Sequence, residues 1–224
     1  MEQKLNKYFE TWSPQTECIV VGSSPSLTWY EFGNHIDKFK NVIRTNCCFS
    51  PTHYPNTGKK LDIWATTTNT RWGLFNPVDS TTKEVWTRND SVIQDLKNNG
   101  TIEVFQERNF RGPIKIMGNR DSLNFPLPGL GTGLITINEA ISKYGKITII
   151  GHTFYLEDTK YALNFNSNGK EDDEHRDNRK SYFNNDSHGI TQIQYVFEWI
   201  KEGKIILLNQ YEYDNLRIST KGHF

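Results

Sequence analysis

Short apolar runs alternate with amphipathic stretches along this chain, and that alternation restricts its fold more than any other feature. Cys18-Ile19-Val20-Val21-Gly22 is an apolar run closed by glycine, the pattern of a strand covered on both faces. Val42 to Asn46, Leu61 to Ala65, Val85 to Thr87, Ile102 to Phe105, Lys146 to Ile150 and Lys204 to Leu208 read as further strands. Between them, the stretch leading to Phe39 begins a helix, and Ser91 to Asn98 and Leu134 to Lys143 are helical. Ile190 to Glu202 is an amphipathic helix with Ile193, Val196, Phe197 and Ile200 on one face. Strands alternating with helices predict an α/β fold, a mainly parallel sheet with helices on both faces. The 224 residues suit one domain, 1–224. Residues 164–187, rich in Asn, Asp, Glu, Lys and Arg, are expected to form a mobile lid inserted over the site.

Charge narrows the partners. Lys plus Arg and Asp plus Glu are both 26, so the net charge is zero. A nucleic-acid binder needs a basic excess, so nucleic acid is not expected as a partner. No segment has the roughly 18 consecutive apolar residues of a membrane span. The stretch from Met1 to Glu10 is charged and lacks the apolar core of a secretory signal. Cys18, Cys47 and Cys48 have no metal-ligand spacing and are expected to be reduced, which points to a cytoplasmic setting, with peripheral attachment to a membrane left open.

The candidate chemistry lies at the ends of the strands, where open α/β sheets bind ligands. Gly22-Ser23-Ser24-Pro25-Ser26 follows the first strand, and its small residues let backbone N–H groups approach a phosphate or ribose. It lacks the later glycines of the dinucleotide fingerprint. An ordinary strand-to-helix turn explains it equally well. Asn46 ends the second strand, where a carboxamide reads a ribose hydroxyl or a base edge; alone, it is more simply a turn residue. Gly131-Thr132-Gly133 opens a helix, so its backbone, its N-terminus and the Thr132 hydroxyl suit a ligand oxygen; a packed loop where helix meets sheet explains it equally well.

The segment leaving the strand at Ile150 carries Tyr155 and Tyr161, and His188 follows the lid. Two phenol donors and a base near neutrality suit a reaction in which a phosphate departs while a hydroxyl attacks. Five other histidines, His152 among them, compete for the role. Trp72, Phe75 and Trp86 are candidates to stack on a sugar, though such aromatics more often pack in cores. There is no Asp-x-Asp sequence and no P-loop lysine pattern, so no metal site is expected.

In this order the motifs resemble bacterial sialyltransferases of glycosyltransferase family 42 and, more distantly, family 29. The likeness rests on Ile19 to Leu27, Val42 to Asn46, Gly131 to Gly133, Ile149 to Tyr155 with Tyr161, and His188 ahead of Phe197 to Ile200. It implies a single Rossmann-like domain of GT-A-like type. It also implies an inverting, metal-independent transfer of sialic acid, or a related sugar acid, from a CMP-activated donor to a glycan or glycolipid hydroxyl. By that likeness His188 is the general base and Tyr155 and Tyr161 hold the departing phosphate. Gly22, Ser23, Ser24, Asn46, Thr66, Gly131, Thr132 and Gly133 hold nucleotide or sugar. No cofactor is implied beyond the donor as co-substrate, and homo-oligomerisation is left open. The chain departs from the family's pattern at Ser23 and Thr66, where Asn is usual, and ahead of the 131–133 loop, where a basic residue is usual. Another CMP-activated acid, such as CMP-Kdo, therefore stays a candidate donor. Two further classes remain: a metal-dependent nucleotide or pterin pyrophosphoryl transferase sharing the turn at 22–27, and a non-catalytic CMP-binding module.

Overall fold

The computed structural model describes residues 13–28, 31–46, 54–66, 78–118, 131–152 and 190–209. Among the described residues, seven parallel strands form one sheet: β1 (Cys18–Val21), β2 (Asn41–Thr45), β3 (Ile63–Thr66), β4 (Glu84–Thr87), β5 (Ile114–Ile116), β6 (Ile147–Ile150) and β7 (Ile205–Leu207). Their order is β5-β4-β3-β2-β1-β6-β7. The chain steps outward from β1 to β5, returns to the other side of β1 as β6, and adds β7 outside β6. This is the mainly parallel, Rossmann-like α/β fold that the alternation predicts.

Short helical pieces follow the first strands: a 3-10 turn at Pro25–Thr28, then α1 (Gly33–Ile36) and α2 (Tyr54–Thr57). Four longer helices complete the layers: α3 (Asp90–Asn98), α4 (Thr101–Glu107), α5 (Thr132–Tyr144) and α6 (Ile190–Lys201). Side chains alternate across each strand, so β1 to β4 and β6 each feed two cores. Cys18, Val20, Ile43, Ile63, Ala65, Ile147 and Ile149 face Leu134, Ile137 and Ala140 of α5 and Val196 and Trp199 of α6. On the opposite face, Ile19, Val21, Val42 and Ile150 pack with Leu27, Ile36 and Phe39. Trp64 and Val85 pack there with Val92, Leu96, Phe105 and Phe110. With both faces covered, the inner strands carry apolar residues without polar alternation.

Two sequence expectations change. Ile102 to Phe105 is not a strand but lies inside α4. Asn99 Oδ1 accepts from the Thr101 amide, Gly100 takes the left-handed conformation at φ 73°, and the buried residues Thr101 and Phe105 are spaced four apart. That is helical spacing, and the β-branched and aromatic content masks it. The edge strand β5, three residues long, was not expected from sequence. Trp86 belongs to the core: it is 2% exposed, its indole N–H donates to Glu84 at 2.7 Å, and the Lys143 ammonium lies 5.3 Å from its ring centre. Of the three cysteines, Cys18 is buried and unbridged, while Cys47 and Cys48 lie outside the described residues. Among the described residues no helix is long and apolar enough to cross a membrane.

Candidate functional site

The strand order reverses direction between β1 and β6. Connections leave these two neighbours toward opposite sides, which opens a crevice beyond their carboxyl ends. The sequence places its small-residue motifs at that crevice.

β1 and β6 stay paired past their last strand residues. The Gly22 amide donates to the Ile150 carbonyl at 2.8 Å, and the Ser24 amide donates to the Gly151 carbonyl at 3.0 Å. The approach is so close that a Cβ on Gly22 would lie 2.0 Å from the Gly151 oxygen, so no larger residue fits. Gly151 itself has φ +74°, a left-handed conformation that glycine takes without strain. Beyond the turn, the hydroxyls of Ser24 and Ser26, both buried, are hydrogen-bonded at 2.5 Å.

The N-terminus of α5 meets this turn. Gly131 caps the helix in extended conformation with no side-chain cap, and its amide donates to Gln192 Oε1 on α6 at 3.2 Å. The first amides of a helix have no partner within it and carry the positive end of its dipole. Thr132 is largely buried there, and its carbonyl accepts from the Thr136 hydroxyl at 2.7 Å. Gly133 faces His152: a Cβ on Gly133 would lie 3.1 Å from His152 Nδ1.

Laterally, register continues the site across the sheet edge. Val21 pairs with Arg44, Arg44 with Trp64, and Thr66 with Thr87. β3 and β4 end together at Thr66 and Thr87, and Asn46 directly follows β2, so polar residues stand at the carboxyl ends of these three apolar strands. Asn46 has φ 51°; its amide donates to the Ala65 carbonyl at 2.8 Å and its carbonyl accepts from the Trp64 indole at 2.6 Å. Its backbone does close a turn, as the simpler reading of that residue predicted. Thr66 reaches the edge but is fully buried, and its hydroxyl has no hydrogen-bond partner among the described residues. Arg44, one strand in from the turn, is 1% exposed and structural: Nη2 donates to the Thr57 carbonyl at 2.7 Å and Nε to the Lys60 carbonyl at 2.9 Å.

The structure therefore brings Gly22, Ser23, Ser24, Gly131, Thr132 and Gly133 together at the crevice, with Asn46 and Thr66 along the same edge. Tyr155, Tyr161, His188 and the expected lid at 164–187 lie outside the described residues. Two residues at the crevice escaped the sequence reading, Gln192 and His152. His152 lay within the Ile149 to Tyr155 segment that carries the family resemblance and among the six histidines, but no role was read for it. It is 7% exposed; burial pushes its pKa down to about 4, against the opposing effect of a hydrogen bond to the Val20 backbone. The ring is therefore neutral at pH 7.

The model of glycosyltransferase family 29 (sialyltransferase) matches residues 3–105. That span runs from before β1 to near the end of α4 and contains the turn at 22–26, Asn46 and Thr66. A mammalian sialyltransferase crystallised with Gal-β-1-3GalNAc-ortho-nitrophenol is similar at 13% identity and a TM-score of 0.47, over 85% of this chain and 68% of that one. A second structure of a mammalian sialyltransferase is similar at 12% identity and a TM-score of 0.47, over 92% of this chain and 78% of that one. No curated protein matches the sequence.

Proposed function

We propose that this chain is a glycosyltransferase that moves sialic acid, or a related sugar acid, from a CMP-activated donor to a glycan or glycolipid hydroxyl. The observation that carries the reading is the match of the family 29 model to the segment holding the turn at 22–26, Asn46 and Thr66. The switch-point crevice supports it. Backbone amides in the first turn of α5 suit a phosphate ester, and the hydroxyls of the turn at 22–26 together with Asn46 suit a ribose. The reading places the reaction in the cytoplasm and, in the order of its motifs, nearest the bacterial family 42 arrangement.

In this mechanism His188 accepts the proton of the acceptor hydroxyl as its oxygen attacks the anomeric carbon. The bond from that carbon to the phosphate oxygen breaks, and CMP departs. Attack opposite the leaving group inverts the centre. Tyr155 and Tyr161 donate hydrogen bonds to the phosphate as its charge grows, so the proposed reaction needs no metal ion and no cofactor.

The test is release of CMP from CMP-N-acetylneuraminic acid, measured in EDTA with and without a galactose-terminated acceptor. Release is expected to rise with acceptor and to fall at least about a hundredfold in His188→Ala while CMP binding persists. The double change Tyr155→Phe with Tyr161→Phe is expected to lower kcat more than donor affinity. Release that persists undiminished in His188→Ala would remove the base assignment. CMP binding with no release from this donor or from CMP-Kdo would leave a binding module, and release abolished by EDTA would favour the pyrophosphoryl-transfer class.

A further inference from the structure

The imidazole of His152 fills the space between the two glycine turns of the crevice. A Cβ on Gly22 would come within 2.9 Å of His152 Cε1, and a Cβ on Gly133 within 3.1 Å of Nδ1. The ring thus occupies the volume that a side chain at either glycine would need, and it touches both turns. The backbone that carries the ring is fixed. It follows Gly151, whose carbonyl accepts from Ser24 and whose α-carbon sits over Leu27 so closely that a Cβ would lie 2.7 Å from Leu27 Cγ. Three chain segments that are far apart in sequence, at 22–24, 131–133 and 151–152, therefore share one ring as their common contact. No ionisable side chain lies in the segments 22–26 and 131–137 that pack against it, so the ring acts there by shape.

We propose that His152 is a positioning residue of the donor site: its ring sets the spacing between the turn at Gly22–Ser24 and the N-terminus of α5, the two walls of the crevice that would receive the donor's phosphate. The proposal rests on the transferase reading for the identity of the ligand, but not for the spacing itself. A positioning residue acts on how well the donor is held, because a displacement of about 1 Å in such a frame is enough to cost a large factor in function. It takes no part in proton transfer, which separates it from His188.

The experiment compares His152→Ala, His152→Gln and Gly133→Ala with the wild-type chain. Gln keeps an uncharged hydrogen-bonding group of similar reach. Gly133→Ala leaves the histidine in place but pushes the ring away from the helix. His152→Ala and Gly133→Ala are expected to raise the donor KM about tenfold with kcat within about threefold, and His152→Gln to recover most of the loss. Amide hydrogen exchange on the free proteins is read alongside. Exchange at 22–24 and 131–133 is expected to speed up about tenfold in His152→Ala, with β2 and β3 unchanged. An unchanged KM with unchanged exchange would overturn the proposal, as would a fall in kcat that Gln does not repair. If His152→Ala fails to fold, Gly133→Ala and His152→Gln decide by the same KM and exchange criteria. If the wild-type chain releases no CMP, the transferase reading fails, and the exchange pattern still decides the spacing role.

Discussion

Thr66 ends β3 with its hydroxyl sealed from water and, among the described residues, unpaired. A buried hydroxyl without a partner costs about 1–3 kcal/mol relative to its hydrated state. Such groups are uncommon in native folds, and the edge of a ligand crevice is one place where they are tolerated. Val has nearly the same shape and no hydroxyl. Thr66→Val is therefore expected to stabilise the ligand-free protein by about 1 kcal/mol, read as a shift in the urea midpoint at constant m-value. A loss of stability would mean that the hydroxyl has a partner in solution. The adjoining residues behave differently: the Thr87 hydroxyl donates to the Lys115 carbonyl at 3.3 Å, and Asn46 is held on both backbone groups. Among these polar strand ends, Thr66 is thus the position where removing a polar atom helps the fold.

At the scale of single elements, α4 offers the clearest contrast between pattern and structure. Read as a strand, Ile102 and Val104 would share one face and Phe105 the other. As a helix, Phe105 points into the core, 1% exposed, with its ring 6.0 Å from Trp64 and 5.7 Å from Phe110 in edge-on contacts, while Val104 is only half-buried. Phe105→Ala is expected to cost about 3–5 kcal/mol and Val104→Ala no more than about 1.5 kcal/mol, both by denaturant unfolding. Equal costs would restore the alternating pattern. The inner strands were legible because both of their faces are covered, so the whole run is apolar. Residues 101–107 were misread because the β-branched content of Ile102 and Val104 outweighed the four-residue spacing of Thr101 and Phe105. The strand β5 has only Ile-Lys-Ile, half exposed at the sheet edge, and offers too short a pattern to read. The same division holds at the site. The glycine turns at 22 and 131–133 were legible because close approach is a local demand on the backbone. The role of His152 was not, because it depends on bringing residues 22, 133 and 152 together in space.

At the scale of the whole molecule, the stretch that resembles family 29 in sequence is not a unit that can stand alone. The match ends at residue 105, and β5 completes that flank of the sheet at Ile116. Yet the face carrying Cys18, Val20, Ile43, Ile63 and Ala65 is covered by Leu134, Ile135, Ile137 and Ala140 of α5 and by Val196 and Trp199 of α6. The far edge of β1 is paired only through β6, in the register Ile19↔Thr148 to Val21↔Ile150. A chain cut after Gly118 would leave an entire apolar face and one edge of β1 open to water, and parallel sheets are stable only with both faces covered. It is expected to show no cooperative urea transition by circular dichroism, where the full chain shows one. It would also lack one wall of the switch point, because Gly151, His152 and the N-terminus of α5 all lie beyond the cut. A cooperative transition in the cut chain, with CMP still bound, would place both the core and the crevice within β1 to β5 and would contradict the packing that the fold assigns to α5 and β6.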